Sequence, residues 1–342
     1  MIRRGYISVY ALIVMSILML TIYYFVYTTH LESLILKRTN DNIQSYYLAE
    51  GKIQMALYDK YYDEELHPYL LKTFRDTKIS QKDITLDPVD LDKSDSFSNV
   101  SISLNVATTP FELYLSTQSD YNGVKTRVTA TCTIFNDFFE MGKPILNPSN
   151  VDDGQKVDFY KLLNNIYDQI NLDYNDLPSE TYGGQFSNFE KISVNQTSEN
   201  TFTLSAFRET MDEPYIEYIG NNNLILIINK FGEKEVELIL GNDEVKQGED
   251  EASTMILNGL IFVEGNITIF NKFTFNGIII LKDGDIVVEA DDKPTINGLI
   301  ISSNDIIAEN IHISYDFSKI YKYGTYIPGF IDPKLLLIKN YE

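Results

Sequence analysis

A single cysteine, no tryptophan and only three histidines in 342 residues remove several chemistries at once. One cysteine, Cys132, makes no internal disulfide and cannot build a cysteine-ligated metal site. His30, His67 and His312 are too scattered for a triad or a zinc site. Cationic side chains are scarce as well: 28 Lys and Arg stand against 49 Asp and Glu, a net charge of −21. Such a surface repels phosphates and has no basic stripe to track them, so a nucleic-acid partner is not expected. Asp152, Asp153, Asp173, Asp176 and Glu180 lack the spacing of an oxygen-ligand calcium loop and read as solvated acids. No metal and no cofactor is expected. The length calls for two modules.

The sharpest absence is local. Between residues 5 and 31 there is no Asp, Glu, Lys or Arg. Residues 6–27 form a run of about 22, and a hydrocarbon layer of ~30 Å takes roughly 20 apolar helical residues to cross. Arg3 and Arg4 precede the run, which keeps that end in the cytoplasm and exports the chain beyond Tyr27. A cleaved secretory signal is disfavoured, because bulky Val26-Tyr27-Thr28-Thr29 stands where small residues belong.

The junction Arg3-Arg4-Gly5-Tyr6 is a short basic leader ending in Gly before an aromatic that opens the apolar helix. It resembles the leader of type IV pilins and type II secretion pseudopilins. The resemblance implies a leader of residues 1–5, cut after Gly5 by prepilin peptidase, with Tyr6 as the N-methylated mature terminus. It implies that the helix, with Tyr10, Ala11 and Leu12, sits in membrane lipid and then leaves it to pack against other pilin subunits and the pilus assembly machinery. The fifth mature residue of major pilins is usually glutamate, and here it is Tyr10. That departure looks like minor pilins and pseudopilins. The string Tyr47-Leu48-Ala49-Glu50-Gly51 also resembles a stretch that many minor pilins carry, although Glu50 alone reads as a solvated acid.

Beyond the membrane run the helix is expected to continue, giving one helix over residues 6–62. Tyr46, Ala49, Ile53, Ala56 and Leu57 recur at three- and four-residue spacing and define its buried face. Lys37, Arg38, Asp41, Lys52 and Asp59 fall largely on the other side. Residues 63–141 read as a pilin-like β region. Val100, Ile102, Leu104 and Val106 alternate with polar residues; residues 111–115 and 124–134 supply two more strands, separated by Asp120-Tyr121-Asn122-Gly123. This hairpin also resembles that of pilins. Cys132 lies on its apolar face beside Ala130 and Ile134, as a buried small hydrophobe. Residues 142–223 read as a loop and short-helix connection, the helix presenting Val157, Tyr160, Leu163, Tyr167 and Ile170, with Gly183-Gly184 as a break.

Residues 224–316 carry a repeat. Leu257-Asn258-Gly259-Leu260-Ile261-Phe262 returns as Phe275-Asn276-Gly277-Ile278-Ile279-Ile280 and as Ile296-Asn297-Gly298-Leu299-Ile300-Ile301, spaced by about 18 and 21 residues. Each copy is followed by a polar turn and a second short strand, beginning at Ile267, Ile286 or Ile306. Apolar runs without alternation suit strands sheltered on both faces. The expectation is a parallel β-solenoid of three to four rungs, with Asn258, Gly259, Asn276, Gly277, Asn297 and Gly298 at its corners. Residues 317–342 are expected to cap it. Asp283, Asp285, Asp305 and Glu309 could pair for glycosidic chemistry, but they fall in predicted turns beside little groove, and no enzyme is expected.

The fold class expected is therefore α+β: a long helix, a small antiparallel meander and a C-terminal solenoid. Two functions fit. One is a non-enzymatic minor pilin of a type IV pilus or secretion pseudopilus, single-pass in the cytoplasmic membrane, then displayed on a pilus or the cell surface for assembly or adhesion to a polysaccharide or protein ligand. The other is a permanently anchored surface protein whose solenoid binds or cleaves cell-wall polysaccharide.

Overall fold

A computed structural model of the chain describes residues 3–76, 81–93, 95–107, 110–198, 200–230, 232, 234–241, 254–270, 272–306 and 309–341. Two compact units result. The first takes Met1–Pro68, Ile79–Thr133 and Lys334–Glu342, the second Tyr69–Lys78 and Ile134–Pro333, so along the chain the second is inserted into the first.

Helix α1 spans Arg3–Tyr58 and ends short of residue 62. A single π-helical turn, Tyr62–Leu66, intervenes before α2, His67–Asp76. Ala49, Ile53, Ala56 and Leu57 are buried and Tyr46 is half-buried, as the periodicity predicts. Two charged residues expected on the solvent side are not there. Lys52 is 2% exposed and Asp41 8%. The Lys52 ammonium stands 2.5 Å from Asp95 Oδ2 and donates to the carbonyls of Phe97 and Gln118 at 2.5 and 2.8 Å. Burial pulls the Lys52 pKa down while Asp95 pushes it back up. Asp41 accepts a hydrogen bond from Asn122 Nδ2 at 3.1 Å, and the Ser45 and Ser119 hydroxyls pair at 2.9 Å. Polar groups thus bond α1 to its own sheet around the apolar contact.

That sheet is antiparallel, in the order β1 (Lys82–Thr85), β2 (Asn99–Asn105), β3 (Glu112–Tyr121), β4 (Val124–Cys132) and β18 (Leu335–Tyr341). Strands β3 and β4 close through Asn122 (φ 52°) and Gly123 (φ 79°), the positive-φ pair of a two-residue hairpin whose twist suits the strands. Cys132 is fully buried, and desolvation pushes its thiol up to about 12. The last strand is a departure from the expected terminal cap. It runs along β4 with Leu335 opposite Cys132 and Tyr341 opposite Arg127, covering an edge that the sheet would otherwise leave open.

In the second unit, residues 142–223 hold far more structure than the loop and helix expected. They contain β5 (Ile145–Leu146), α3 (Lys156–Gln169), β6 (Tyr182–Ser187), β7 (Lys191–Ser198), β8 (Thr201–Phe207) and β9 (Tyr215–Ile219). Helix α3 buries Phe159, Leu162, Leu163 and Ile166. Val157 and Tyr160, expected inside, are 66% and 48% exposed. The face is set by Phe159 against Phe138, their ring centroids 5.4 Å apart.

Strands β10 (Asn223–Asn229), β11 (Val236–Leu240), β12 (Met255–Val263), β13 (Gly265–Ile269), β14 (Phe273–Leu281), β15 (Ile286–Val288), β16 (Thr295–Ser302) and β17 (His312–Ser314) come next. Two sheets form, ordered β17-β16-β14-β12-β10-β6 and β15-β13-β11-β7-β8-β9, with β5 beside β16 in the first. Pairing is parallel throughout the first sheet and from β15 to β7 in the second; β8 and β9 add antiparallel. Parallel pairing therefore involves residues ahead of 224, Ile145–Leu146 in β5 and Tyr182–Ser187 in β6. Among the described residues no strand begins at Ile306.

Leu224, Leu226, Leu257, Ile261, Phe275, Ile279, Ile296 and Ile300 of the first sheet form one core with Val236, Leu238, Ile267 and Ile269 of the second. The Tyr167 ring of α3 lies tilted against Phe262, and α4 (Phe317–Gly324) lies on β14 and β16, so strands of the first sheet are covered on their other face too. This is why their sequences do not alternate.

Replacing Lys52 by Met leaves Asp95 buried without its cation and is expected to cost about 3–5 kcal/mol. Adding Asp95→Leu is expected to recover part of that loss, with a coupling of about 0.5–3 kcal/mol in a double-mutant cycle. Chemical unfolding of the full-length chain in detergent micelles reads both.

Candidate functional site

The sequence points first to the start of α1. Gly5 lies within the first turns of α1, while Met1 and Ile2 of the expected leader lie outside the described residues. From Tyr6 to Tyr27 every side chain is exposed: Tyr6 at 79%, Tyr10 at 72% and Leu12 at 68%, with Ala11 exposed between them. This one helix is long and apolar enough to cross a membrane. Some of its hydroxyls are satisfied within the helix. Ser16 donates to the Leu12 carbonyl at 2.8 Å, Thr21 to Ile17 at 2.8 Å and Thr29 to Phe25 at 2.8 Å. In lipid such back-bonding removes donors that hydrocarbon cannot satisfy.

The second candidate set is the Asn-Gly repeat. Asn258, Asn276 and Asn297 align in one parallel register across β12, β14 and β16, and so do Gly259, Gly277 and Gly298. These positions lie inside the strands and not in the connections expected of corners. The physical reason is a close approach of backbones. Gly259, Gly277 and Gly298 have φ of 140°, 154° and 149°, and a Cβ built on Gly277 would stand 1.9 Å from the Gly259 carbonyl oxygen. Only glycine fits such a column.

The asparagines form a ladder beside it. Asn297 Nδ2 donates to Asn276 Oδ1 at 3.0 Å, Asn276 Nδ2 to Asn258 Oδ1 at 2.9 Å, and Ser314 Oγ to Asn297 Oδ1 at 2.7 Å. Each side-chain amide thus hydrogen-bonds to its neighbour in the stack.

Asp283 sits at a positive φ of 57°, its N–H donating to Ser303 Oγ at 3.1 Å, and its nearest cation is Lys230 at 3.9 Å. The Asp285 N–H donates to Asn266 Oδ1 at 2.9 Å. Among the described residues no three His, Cys, Asp or Glu side chains stand close enough to hold a metal ion. What sequence reasoning missed is a tyrosine-lined cleft between β6 and β9. Its only local signal is the alternating pair Tyr215 and Glu217, and the partner, Tyr182, lies beside glycines read as a break.

Gly277→Ala is expected to cost about 3 kcal/mol or more, through backbone strain and overpacking against Gly259. Gly51→Ala, a helical position with nothing within 4 Å of the added carbon, is expected to gain about 1 kcal/mol. Thermal unfolding of the full-length chain in micelles compares the two.

No protein-family model matches the sequence, and no curated protein does. Among solved structures the chain has a distant match to the competence-associated pilin ComZ from Thermus thermophilus, with 9% sequence identity over 88% of this chain and 98% of that one. The TM-score is 0.25, an overlap too loose to carry an inference from one chain to the other.

Proposed function

We propose that this chain is a minor pilin, a non-enzymatic structural subunit of a type IV pilus or a related secretion pseudopilus. One observation carries the reading. The uncharged, wholly exposed segment at residues 6–27 runs without a break into a half that packs on an antiparallel sheet, directly behind Arg3-Arg4-Gly5-Tyr6. Exposed apolar area is worth about 25 cal/mol per Å² when removed from water, so such a helix needs a lipid or protein environment. A subunit that waits in the bilayer and then packs against like helices has both in turn.

In this reading prepilin peptidase cuts between Gly5 and Tyr6, and Tyr6 becomes the methylated terminus. Tyr10, Ala11 and Leu12 then meet neighbouring pilin helices. With tyrosine in place of the usual glutamate, the subunit reads as a minor one and not as the bulk of the fibre. The second unit would be a β-solenoid, a reading supported by strands that alternate between two parallel sheets and by the Asn-Gly copies in one register. Its placement along the chain between β4 and β18 suits a module displayed by a pilin for adhesion or for priming assembly.

Replacing Gly5 by Leu tests the reading in cells that carry a prepilin peptidase. The variant is expected to stay in the membrane fraction at full length, while the wild type also appears in sheared surface fibres. Equal recovery of the two chains from the fibres contradicts processing at Gly5. Absence of both from the fibres contradicts the pilin and favours a permanent anchor.

A further inference from the structure

Strand β6 is an outer strand of the first sheet, and β9, antiparallel to its neighbour β8, is an outer strand of the second. Between them opens a cleft of about 380 Å³, within the roughly 300–1,000 Å³ of small-ligand sites. Tyr182 comes from β6, Tyr215 and Glu217 from β9, Phe189 from the connection after β6, and Tyr174 from the turn Tyr174–Asp176. The hydroxyls of Tyr182 and Tyr215 both donate to Glu217 Oε2, at 2.7 and 3.1 Å. Burial and the hydrogen bond to Glu217 raise the Tyr182 pKa, so its hydroxyl stays protonated and holds the carboxylate in place.

Three facts about this arrangement select a ligand. First, among the described residues no Lys, Arg or His pairs with Glu217, whereas Glu190 of the same unit pairs with Lys234. The cleft therefore holds an uncompensated negative charge. Second, Tyr174, Tyr182, Phe186, Phe189 and Tyr215 contribute rings to its lining, and ring faces attract a cation by their quadrupole. Third, of the three tyrosine hydroxyls lining the cleft, those of Tyr182 and Tyr215 are already spent on Glu217, which leaves a neutral sugar few fixed donors.

An anion is repelled, and a primary ammonium, which has three N–H groups to satisfy, finds one carboxylate. A cation with an apolar outer surface meets both the rings and the carboxylate. We propose that this cleft binds a quaternary ammonium group, held over the rings of Tyr174, Tyr182 and Tyr215 and neutralised by Glu217. The cleft lies in the second unit alone and stands apart from processing at Gly5.

The test is calorimetric titration of the full-length chain, in an uncharged maltoside micelle, with choline chloride. Its neutral isostere 3,3-dimethylbutan-1-ol serves as the control. Choline is expected to bind at least tenfold more tightly than the isostere. Glu217→Gln is expected to abolish that preference, and Tyr174→Ala, at a ring 61% exposed in the folded chain, to weaken choline binding several-fold without unfolding the protein. Glycerophosphocholine separates two sources: equal binding points to an esterified choline headgroup, and weaker binding to a free ammonium compound, and both outcomes support the site. Equal affinity for choline and the isostere overturns the proposal. So does unchanged binding in Glu217→Gln, or binding of a neutral oligosaccharide with none of choline.

Discussion

The chain depends on a stretch of helix that carries no charge and that no described part of the same chain covers. Residues 6–27 are exposed throughout, from Tyr6 at 79% to Tyr27 at 53%. Asp or Lys at mid-membrane costs roughly 2.5–3.5 kcal/mol, so the absence of charge suits a bilayer, and the back-bonded Ser16, Thr21 and Thr29 suit it as well. Because α1 is continuous from Arg3 to Tyr58, whatever holds its C-terminal half also fixes the base of the apolar half. That hold is partly ionic. A buried Lys52–Asp95 pair is a poor source of net stability, since desolvation offsets most of its attraction. It does select one register, because a sliding helix would leave the ammonium and two backbone carbonyls unpaired.

A second constraint, of contact distance, governs the inserted unit. Neighbouring strands approach so closely at Gly259, Gly277 and Gly298 that no side chain fits, and the asparagine beside each glycine bonds to its counterpart in the stack. The glycines remove an obstacle and the asparagines set the alignment. A slip of one residue would break both columns at once, so the parallel register is fixed by steric and polar terms that agree. The apolar runs around them, such as Leu224 to Ile228, then bury against the second sheet on one side.

Features whose cause is local were legible in the sequence. Asn122-Gly123 announces a hairpin because few other pairs accept two positive φ angles, and Cys132 reads as core because its strand alternates. The Asn-Gly repeat gives parallel alignment through its spacing, although the dipeptide sits within strands where a corner was expected. What was hidden has partners far along the chain. Lys52 looks like any solvated lysine until Asp95 is brought to it, and β18 has no reason in its own residues to join β4. Strand β6 was obscured by Gly183 and Gly184, which read as a break but sit inside a strand paired to β10. The phase of α3 was misread because Phe159, omitted from the expected face, is the residue that Phe138 holds. The tyrosine cleft was invisible for the same reason, since Tyr182 and Glu217 meet only when two sheets close.

We propose that the apolar helix begins at Tyr6 in the working protein. Intact-mass and N-terminal peptide mass spectrometry of the chain recovered from its native membrane tests it most directly. The expected result is a chain lacking residues 1–5, with a methyl group on the Tyr6 amine. A chain that still begins at Met1, or one cut beyond the apolar run, would contradict it.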